Sequence, residues 1–361
     1  MILEENRPLA PFTTFGIGGP ARWFLTATHE DEVREAALWA LEHGVELFVL
    51  GGGSNLLVSD AGFDGLVVRV GLCGIESRCD GSQTIYQAAA GEEWDRLVQQ
   101  TVEDGCAGLE CLAGIPGTVG GTPVQNVGAY GQEVASTIVR VRAFDLNTNG
   151  FVEFAGTECG FAYRCSRFNT LDRNRYVVTR VDYRLIEGGA PTLRYTDLQK
   201  AFPTGARPGL VEVASQVRRI RNSKGMLLVE GDPDCRSAGS FFKNPVLDEK
   251  QVRDVETVSG IEPPRFPAGP EPENSGRVKL PAAWLIEQAG FVKGHIRGAA
   301  GLSSRHTLAL INLGSAKAMD ILALAEEIRQ SVWDRFGIVL EAEPVLLGFS
   351  QEQDGWPRDV R

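Results

Sequence analysis

The chain has 361 residues, of which 43% are hydrophobic and 23% are charged, a composition typical of a globular protein with more than one domain. Its formal net charge of -11 argues against a nucleic-acid or membrane-surface partner, because such partners need a broad positive field. No secretory signal and no apolar run of membrane-spanning length is recognised, so we expect a cytoplasmic protein without membrane insertion.

The cysteines and histidines argue against a metal site. The seven cysteines are odd in number and include no C-x-x-C pair, which favours reduced thiols over disulfides or zinc ligands. The four histidines are scattered, without H-x-x-x-H spacing. We therefore predict that the protein holds no metal.

The first chemical signal follows a predicted strand, helix and strand at residues 21–25, 30–43 and 45–50. There the chain enters a glycine-rich loop whose backbone N–H groups could face an anion, with hydroxyl and amide side chains beside them. The candidate residues are Gly52, Gly53, Ser54 and Asn55. A pyrophosphate would suit this loop, although a plain hairpin turn is the alternative because neither the Walker nor the Rossmann spacing is complete.

A second glycine-rich loop, residues 114–131, follows predicted strands at 66–70 and 84–89 and a predicted helix at 93–102. Apolar residues lie between its glycines and prolines, which indicates a structured, partly buried loop. Two such loops fit one extended cofactor that is touched at several points. Two unrelated structural loops are the alternative.

The middle of the chain, residues 138–186, is rich in short β-branched and aromatic runs. Arg164 lies among aromatic residues there and could be a stacked surface arginine or a fork for a carboxylate. A predicted amphipathic helix at 211–221 carries Arg218, Arg219 and Arg221 toward Lys224. A solvated basic face is the ordinary interpretation of that pattern.

The stretch Ser237–Pro245 combines hydroxyls, a glycine, two phenylalanines, a cation and an amide. Gly239 allows close backbone approach beside Ser240, and at least one phenylalanine should be buried. A turn with a satisfied hydroxyl is the alternative. Beyond a proline-rich loop at 262–276, we predict a helix at 280–290, a strand at 307–312, a helix at 319–336 and a strand entry at 340–345.

Taken together, these motifs resemble the UDP-N-acetylenolpyruvoylglucosamine reductases (MurB), flavoenzymes of bacterial peptidoglycan synthesis. The resemblance runs from Thr13 to Gly348 and to the longer form of the family, which has a mobile tyrosine loop. It rests on the two glycine loops, on Phe161–Arg164, on Ala238–Pro245 and on the ending Leu340–Glu343. Several motifs in the order of the family are more diagnostic than any one alone.

The resemblance implies an α+β fold: a vanillyl-alcohol-oxidase-type (PCMH-like) FAD-binding domain in two lobes, and a C-terminal α+β substrate domain. We expect the lobes at residues 1–65 and 66–210, the substrate domain at 211–348 and a polar tail at 349–361. NADPH would reduce non-covalently bound FAD, which would pass a hydride to C3 of a UDP-sugar enol ether. The product would be UDP-N-acetylmuramate, made by a monomer that has only small-molecule partners.

The resemblance also assigns site residues. Ser240 matches the proton donor, Arg164 the arginine that grips the substrate carboxylate, and Glu343 the acid that assists the enol. Substrate contacts fall on Tyr195, Lys224 and Asn244. Besides the first glycine loop, the residues assigned to the cofactor are Pro116, Gly117, Gly120, Gly121, Gly128, Tyr130, Gly131 and Arg221.

Departures from the family pattern affect two of these assignments, and one further residue needs comment. Ala342 replaces a proline between the last two acids, and counting back from Gly348 favours Glu343 over Glu341. Residues 225–236 form a longer segment than the family leads us to expect, which bears on Lys224. His306 stands where a substrate-contacting residue can occur, and we expect a surface histidine.

Two other functions remain open at this point. A flavin-dependent oxidase of the same fold would use oxygen and would not need Ser240, Arg164 and Glu343 together. A catalytically silent nucleotide-sugar-binding protein would contain no flavin.

Overall fold

The computed structural model describes residues 1–203, 205–268 and 274–350. Part of the predicted proline-rich loop and the tail from residue 351 lie outside the described residues. Contacts divide the chain into two compact units. The first unit comprises Met1–Arg7, Ala21–Gly52 and Asp64–Ser223, and the second comprises Pro8–Pro20, Gly53–Phe63 and the chain from Lys224 onward. The domain boundaries expected at 65 and 210 stay predictions.

Short strands outnumber helices in the described residues. The strands are β1 (Glu4–Pro8), β2 (Pro20–Ala27), β3 (Leu47–Leu50), β4 (Leu56–Val58), β5 (Phe63–Val70), β6 (Ile75–Asp80), β7 (Gln83–Ala89), β8 (Cys106–Ala107), β9 (Gly128–Ala129), β10 (Gln132–Glu133), β11 (Ile138–Asp145), β12 (Gly150–Ala155), β13 (Tyr176–Glu187), β14 (Val246–Asp248), β15 (Phe266–Pro267), β16 (Arg277–Lys279), β17 (Ile296–Arg297), β18 (Ala300–Leu302), β19 (Leu310–Asn312) and β20 (Val345–Leu347). The helices are α1 (Glu30–His43), α2 (Trp94–Glu103), α3 (Thr196–Ala201), α4 (Leu210–Ser223), α5 (Glu249–Ser259), α6 (Ala282–Gln288) and α7 (Ala318–Phe336).

The first unit contains two larger sheets. One has the order β1-β2-β5-β3, in which β3 and β5 are parallel. The other has the order β12-β11-β13-β7-β6, with β8 added beside β13, and its pairings are antiparallel. Parallel and antiparallel sheets together with helices make this an α+β architecture.

Helix α1 shows how closely local pattern determines an element. Acidic residues occupy its first turn, and Gly44 ends it with a φ of 64°. That left-handed conformation favours glycine, which explains why the helix ends at this position. The spacing of Val33, three alanines and Leu41 in the sequence predicts one apolar stripe on this helix, and Val33 and the alanines are indeed buried. Leu41 is instead 68% exposed.

Helix α4 corrects the interpretation of its arginines as a solvated face. Arg221 is buried, at 8% exposure. Arg218 donates two hydrogen bonds to the carboxylate of Asp95 in α2, at 2.5 and 2.8 Å. Because α2 packs beside α4, two of the three arginines face protein and only Arg219 lies on the exposed side.

The second unit has its own core, built around the buried face of α7. Phe15, Leu57 and Phe241 contribute to it from three distant parts of the sequence. The strand expected from residue 307 begins only at Leu310, and the strand expected from residue 340 begins at Val345. The sheets of the second unit have the orders β14-β16-β15 and β17-β18-β19, and β20 pairs in parallel with β4.

All seven cysteines lie within the described residues and are free thiols, four of them buried. Burial raises the pKa of Cys111 and that of Cys159, each to about 12, so these thiols stay protonated at neutral pH. Across the described ranges, no helix has the length and apolar character needed to cross a membrane.

One buried carboxylate gives the first unit a testable dependence on pH. Asp145, 2% exposed, accepts hydrogen bonds from Arg175 at 2.8 and 3.0 Å and from the Asn147 N–H at 3.0 Å. Arg175 lowers the pKa of Asp145 from 3.8 to about 2, against the opposing effect of burial. The ionised form therefore stabilises the fold above pH 3.8, and this contribution is lost as the pH falls toward about 2.

We predict that Asp145→Asn lowers the free energy of unfolding at pH 7 by about 1–2 kcal/mol, because a charge-assisted pair is lost. The difference from wild type should shrink as the pH falls from 3.8 toward about 2, as measured by urea unfolding. Asp64→Asn is the control, since Asp64 is 84% exposed in its pair with Arg22. It should change stability by less than about 0.5 kcal/mol. A difference for Asp145→Asn that does not depend on pH would contradict this account.

Candidate active site

The glycine loop at 114–131 is structured, as the sequence predicts. Its backbone bonds to the segment that leads into α2: Gly120 N–H donates to Ala90 O at 2.8 Å, and Val119 N–H to Glu92 O at 2.9 Å. In return, Trp94 N–H donates to Gly117 O at 3.1 Å. These bonds fix the loop against the start of a helix.

The structure brings the end of the first glycine loop into contact with the second. A Cβ at Gly52 would lie 2.6 Å from the Cα of Gly117, so the two backbones touch and only glycine fits at residue 52. Around Gly121, in contrast, a Cβ would meet no heavy atom within 4 Å. One glycine is therefore needed for packing, while the other borders open space. Pro116 lies beside Gly117 in the same half-buried stretch.

Arg221 links the two ends of the second loop. Its Nε donates to Gly114 O at 3.0 Å, and its side chain also hydrogen-bonds Tyr130. Burial lowers the pKa of Arg221, and its interactions with Tyr130 and Asp95 oppose that shift. A cationic group is thus held, largely removed from water, at the edge of the glycine loop.

Tyr130 and Gly131 connect this loop to the predicted tyrosine segment. Tyr130 is 8% exposed and has a φ of 50°, which is unusual for a residue with a side chain. The ring of Tyr195 meets it edge-on, with centroids 5.2 Å apart. Tyr195 itself is 38% exposed, so it lies over the loop with one side toward solvent.

Arg164 lies in a tight turn that is closed by reciprocal backbone hydrogen bonds between Ala162 and Cys165, at 3.0 and 3.1 Å. Its φ of 55° is left-handed, a conformation that costs a non-glycine residue about 1–2 kcal/mol. Its Nη1 donates to Gly128 O at 3.1 Å. The guanidinium is therefore brought to the glycine loop, and the strained backbone points to a functional reason for an arginine here.

The sequence alone missed Asn126, which supports this turn. Its side-chain amide donates to Ala162 O and to Glu133 Oε2, both at 3.0 Å, and its Oδ1 accepts from Ala135 N–H at 3.2 Å. Asn126 is 1% exposed and has a φ of 46°. An asparagine within a glycine-rich loop is a signal for such a left-handed, hydrogen-bonded position.

In the second unit, the serine segment pairs with the C-terminal acidic segment. Glu343 N–H donates to Phe241 O at 2.8 Å, and Lys243 N–H donates to Glu341 O at 2.9 Å. This antiparallel bridge pairs Glu343 with Phe241, the residue after Ser240, although the two segments are far apart in sequence. Phe241 and its neighbour Phe242 are each 1% exposed and anchor the segment in the core.

Glu341 and Glu343 have different environments. Glu341 is 63% exposed in its side chain, which pairs with Lys243 at 3.4 Å. The backbone around Glu343 is instead held by Asn55, whose Nδ2 donates to Glu343 O at 3.2 Å and whose carbonyl accepts from Val345 N–H at 3.0 Å. The pairing gives Lys243 a partner and leaves Glu343 as the half-buried acid beside the serine segment.

Gly53, Ser54 and Asn55 belong to the second unit. Gly53 has a φ of 62°, and a Cβ there would lie only 1.8 Å from Phe12 O, far closer than van der Waals contact allows. Gly53 is therefore required by the fold. The sequence predicts that Asn55 contacts a cofactor, whereas the bonds seen here are to the chain that carries Glu343.

The other predicted polar contacts of this unit are also placed. Asn244 Oδ1 accepts from the Ala282 N–H at the start of α6, at 2.9 Å, so this amide helps to fix the helix start. Ser240 is half-buried, follows Gly239 with its φ of 73°, and its hydroxyl hydrogen-bonds no other residue in the described ranges.

His306 is not the surface histidine that the sequence analysis expects. Burial, followed by the charges of Lys224 and Lys293, lowers its pKa to about 4. The imidazole is therefore neutral at pH 7, and Lys224 is near it. The charges of both lysines therefore reach this imidazole.

Comparison with known proteins identifies the family. The C-terminal domain of UDP-N-acetylenolpyruvoylglucosamine reductase matches residues 232–347, and an FAD binding domain matches residues 21–152. The reductase of Streptomyces coelicolor is 47% identical over 354 residues, covering 95% of this chain and 90% of that protein. The reductase of Thermobifida fusca is 43% identical and covers 95% and 98%, respectively.

A solved structure agrees with these matches. The reductase from Thermus caldophilus is 28% identical with a TM-score of 0.65, and the match covers 96% of this chain and 100% of that one. The fold class predicted from the resemblance is thereby confirmed. The chain belongs to the family of UDP-N-acetylenolpyruvoylglucosamine reductases.

Proposed function

We propose that this protein reduces UDP-N-acetylglucosamine enolpyruvate to UDP-N-acetylmuramate with NADPH, through non-covalently bound FAD, in peptidoglycan precursor synthesis. The observation that carries the proposal is the antiparallel bridge that pairs the segment of Ser240 with that of Glu343. Family membership supplies the reaction, and the bridge supports our assignment of a proton donor and an acid to these two segments. The enzyme is a flavin-dependent oxidoreductase.

The residues of the first unit fit FAD by their chemistry. Gly121 borders open space, so a ligand can approach the loop backbone there, although the N–H groups of Gly120 and Gly121 donate to Ala90 O and Thr118 O. Arg221 supplies a buried positive charge beside Gly114, which suits a pyrophosphate. Once reduced by NADPH, FAD supplies the hydride for the reaction. We assign Gly52 to close packing against the loop.

The substrate carboxylate is assigned to Arg164. A guanidinium donates two parallel hydrogen bonds to a carboxylate and offsets negative charge that builds up on it in the transition state. The tight turn and Asn126 hold Arg164 at the glycine loop, where such a charge would develop beside the cofactor. The arginine thus binds and orients the enolpyruvyl group.

Proton transfer is assigned to the second unit. Addition of hydride at C3 leaves carbanion character at C2, and the Ser240 hydroxyl donates a proton to that carbon. A serine is a weak acid, so it can act only on a strongly basic centre within direct reach. Glu343 assists the developing enol, and the Asn244 amide and Lys224 bind the polar parts of the substrate. Tyr195 closes over the UDP portion.

We also propose a cytoplasmic monomer whose FAD-binding lobes span residues 1–65 and 66–210 and whose substrate domain spans 211–348. An assay of NADPH absorbance with and without the UDP-sugar enol ether tests the function directly. Substrate-dependent NADPH oxidation is expected. Rapid reoxidation of the flavin by air without substrate would indicate an oxidase, and a colourless protein would indicate a binding protein.

Ser240→Ala should separate the two half-reactions. Reduction of FAD by NADPH should keep its wild-type rate because it needs no acid at C2. Reoxidation by the enol ether should slow by about 10²–10⁴-fold, the usual contribution of a general acid. Stopped-flow absorbance measures both steps, with Ser331→Ala in α7 as a control that should alter neither. Normal reoxidation in Ser240→Ala would exclude Ser240 as the donor.

Arg164→Gly removes the guanidinium without backbone strain, since glycine adopts a φ of 55° readily. We expect the free energy of unfolding to change by less than about 1 kcal/mol, because relief of strain offsets the lost hydrogen bond. Reoxidation by substrate should slow by about 10²–10³-fold. Arg164→Lys is the matched variant, which keeps the positive charge but loses the two parallel N–H donors of the guanidinium. Wild-type reoxidation in Arg164→Gly would refute the assignment.

Two glycines of the cofactor loops should respond differently to alanine. Gly52→Ala should destabilise the protein by about 1–3 kcal/mol, because its Cβ would overlap Gly117. Gly121→Ala should change stability by less than about 0.5 kcal/mol. It should still weaken FAD binding, because the added methyl enters the space that we assign to the cofactor. Thermal unfolding and flavin-fluorescence titration of the apoprotein measure these effects. Unchanged FAD affinity in Gly121→Ala would remove that residue from the cofactor site.

A further inference from the structure

Residues 225–236, the segment that we expected to be long for the family, are bonded to the rest of the second unit through Arg305 among other residues. Asp232 and Asp234 flank Pro233 in a short 3-10 turn, where the Asp232 side chain accepts from the Asp234 N–H at 3.0 Å. Arg305 Nη2 donates to Asp232 Oδ2, and its Nε donates to Asp234 Oδ2 at 2.8 Å. We call these three residues the arginine clamp.

The clamp joins two carboxylates to one guanidinium and is partly removed from water. The side chains of Asp234 and Arg305 are 7% and 26% exposed. Ser304 adds two hydrogen bonds to Asp234, at 3.1 Å from its N–H and 2.7 Å from its hydroxyl. Burial alone would raise the pKa of Asp234. The hydrogen bonds from Ser304 and Arg305 outweigh this effect of burial, so the pKa lies below its usual value. Both aspartates in turn raise the pKa of Arg305.

The clamp lies directly against the chain that carries Lys224. A Cβ at Gly225 would lie 3.1 Å from Arg305 Nε and 3.1 Å from Asp234 Cβ. Only glycine fits there without displacing the clamp, and the φ of Gly225 is 67°. The residue before this glycine is Lys224. The clamp therefore restricts the position of the backbone next to Lys224.

His306 follows Arg305 directly in the chain. The Ser303 hydroxyl accepts from the N–H groups of Arg305 and His306, at 3.1 and 3.3 Å, and so fixes this turn. The charges of Lys224 and Lys293 act on the imidazole. Arg305 joins the turn that carries His306 to Asp232 and Asp234, and thus to the segment that begins after Lys224.

We propose that the arginine clamp positions Lys224 and His306 for binding the UDP-sugar substrate, which makes Arg305 a positioning residue for substrate affinity. The inference rests on the proposed function, because it takes Lys224 as a substrate contact. Arg305 acts through its neighbours and has no part in hydride or proton transfer. Its loss should therefore affect binding of one substrate only.

Arg305→Gln should raise KM for the UDP-sugar enol ether about tenfold, with kcat within about twofold of wild type and KM for NADPH unchanged. Arg297→Gln is the matched control: it breaks the Arg297–Glu327 pair of 2.8 Å in the same unit without touching the clamp. It should leave all three constants unchanged. An unchanged substrate KM in Arg305→Gln, or a fall in kcat with both KM values altered, would overturn the proposal.

A double-mutant cycle tests whether Arg305 affects substrate binding through Lys224. In a Lys224→Ala background, Arg305→Gln should raise the substrate KM by less than about twofold, because the residue through which it acts is already lost. Fully additive effects would show that Arg305 acts independently of Lys224. If Arg305→Gln does not fold, Asp232→Asn serves instead. It leaves the Asp234 contact in place and should raise KM in the same direction by a smaller factor.

A measurement without turnover separates this inference from the proposed function. The proton resonance of His306, assigned with His306→Gln, should titrate with a midpoint near pH 4 in the wild type. In Arg305→Gln the midpoint should rise toward 6.5, because the loosened turn admits water. An unchanged midpoint would refute the positioning of His306 by the clamp. Absence of substrate-dependent NADPH oxidation in the wild type would refute the proposed function and leave this titration interpretable.

Discussion

The candidate chemistry of the second unit depends on one short antiparallel bridge, between Phe241–Lys243 and Glu341–Glu343. Two backbone hydrogen bonds are modest by themselves, but both paired segments are anchored more strongly elsewhere. The phenylalanines of the serine segment are buried in the core, and Asn55 holds the acidic segment from the other side. The bridge therefore fixes the serine segment against the acidic segment, and its anchors make it rigid.

The first unit solves a different problem, which is to leave open space beside a glycine-rich loop without leaving the loop disordered. Its glycine loop is bonded to the start of α2, supported by Asn126 and closed by Arg221 across its two ends. The left-handed conformations of Tyr130 and Arg164 are tolerated because these contacts over-determine the backbone. Rigid surroundings thus make an open loop and a strained arginine compatible with a stable fold.

Local pattern predicted what local physics determines, and failed where distant contacts decide. The bounds of α1 follow from an acidic first turn and a glycine end. The exposure of Leu41 depends instead on which other parts of the chain pack against the helix. Ser240 could be singled out from its motif. The partner of Lys243, the burial of His306 and the bonds of Asn55 could not be predicted, because each depends on segments that lie tens to hundreds of residues away. No spacing rule in the sequence encodes such pairings.

The hydrogen bond from Asn55 to Glu343 spans 288 positions in the sequence, and β4 pairs with β20 across a similar interval. During synthesis from the N-terminus, the buried strand β4 is made long before the strand that completes its sheet. The pairing of β4 with β20 in the second unit can thus form only when nearly the whole chain has left the ribosome. Loop-closure entropy over that interval makes this pairing a late event in folding. An incomplete chain would carry the serine but not the acid, and would expose β4 to aggregation.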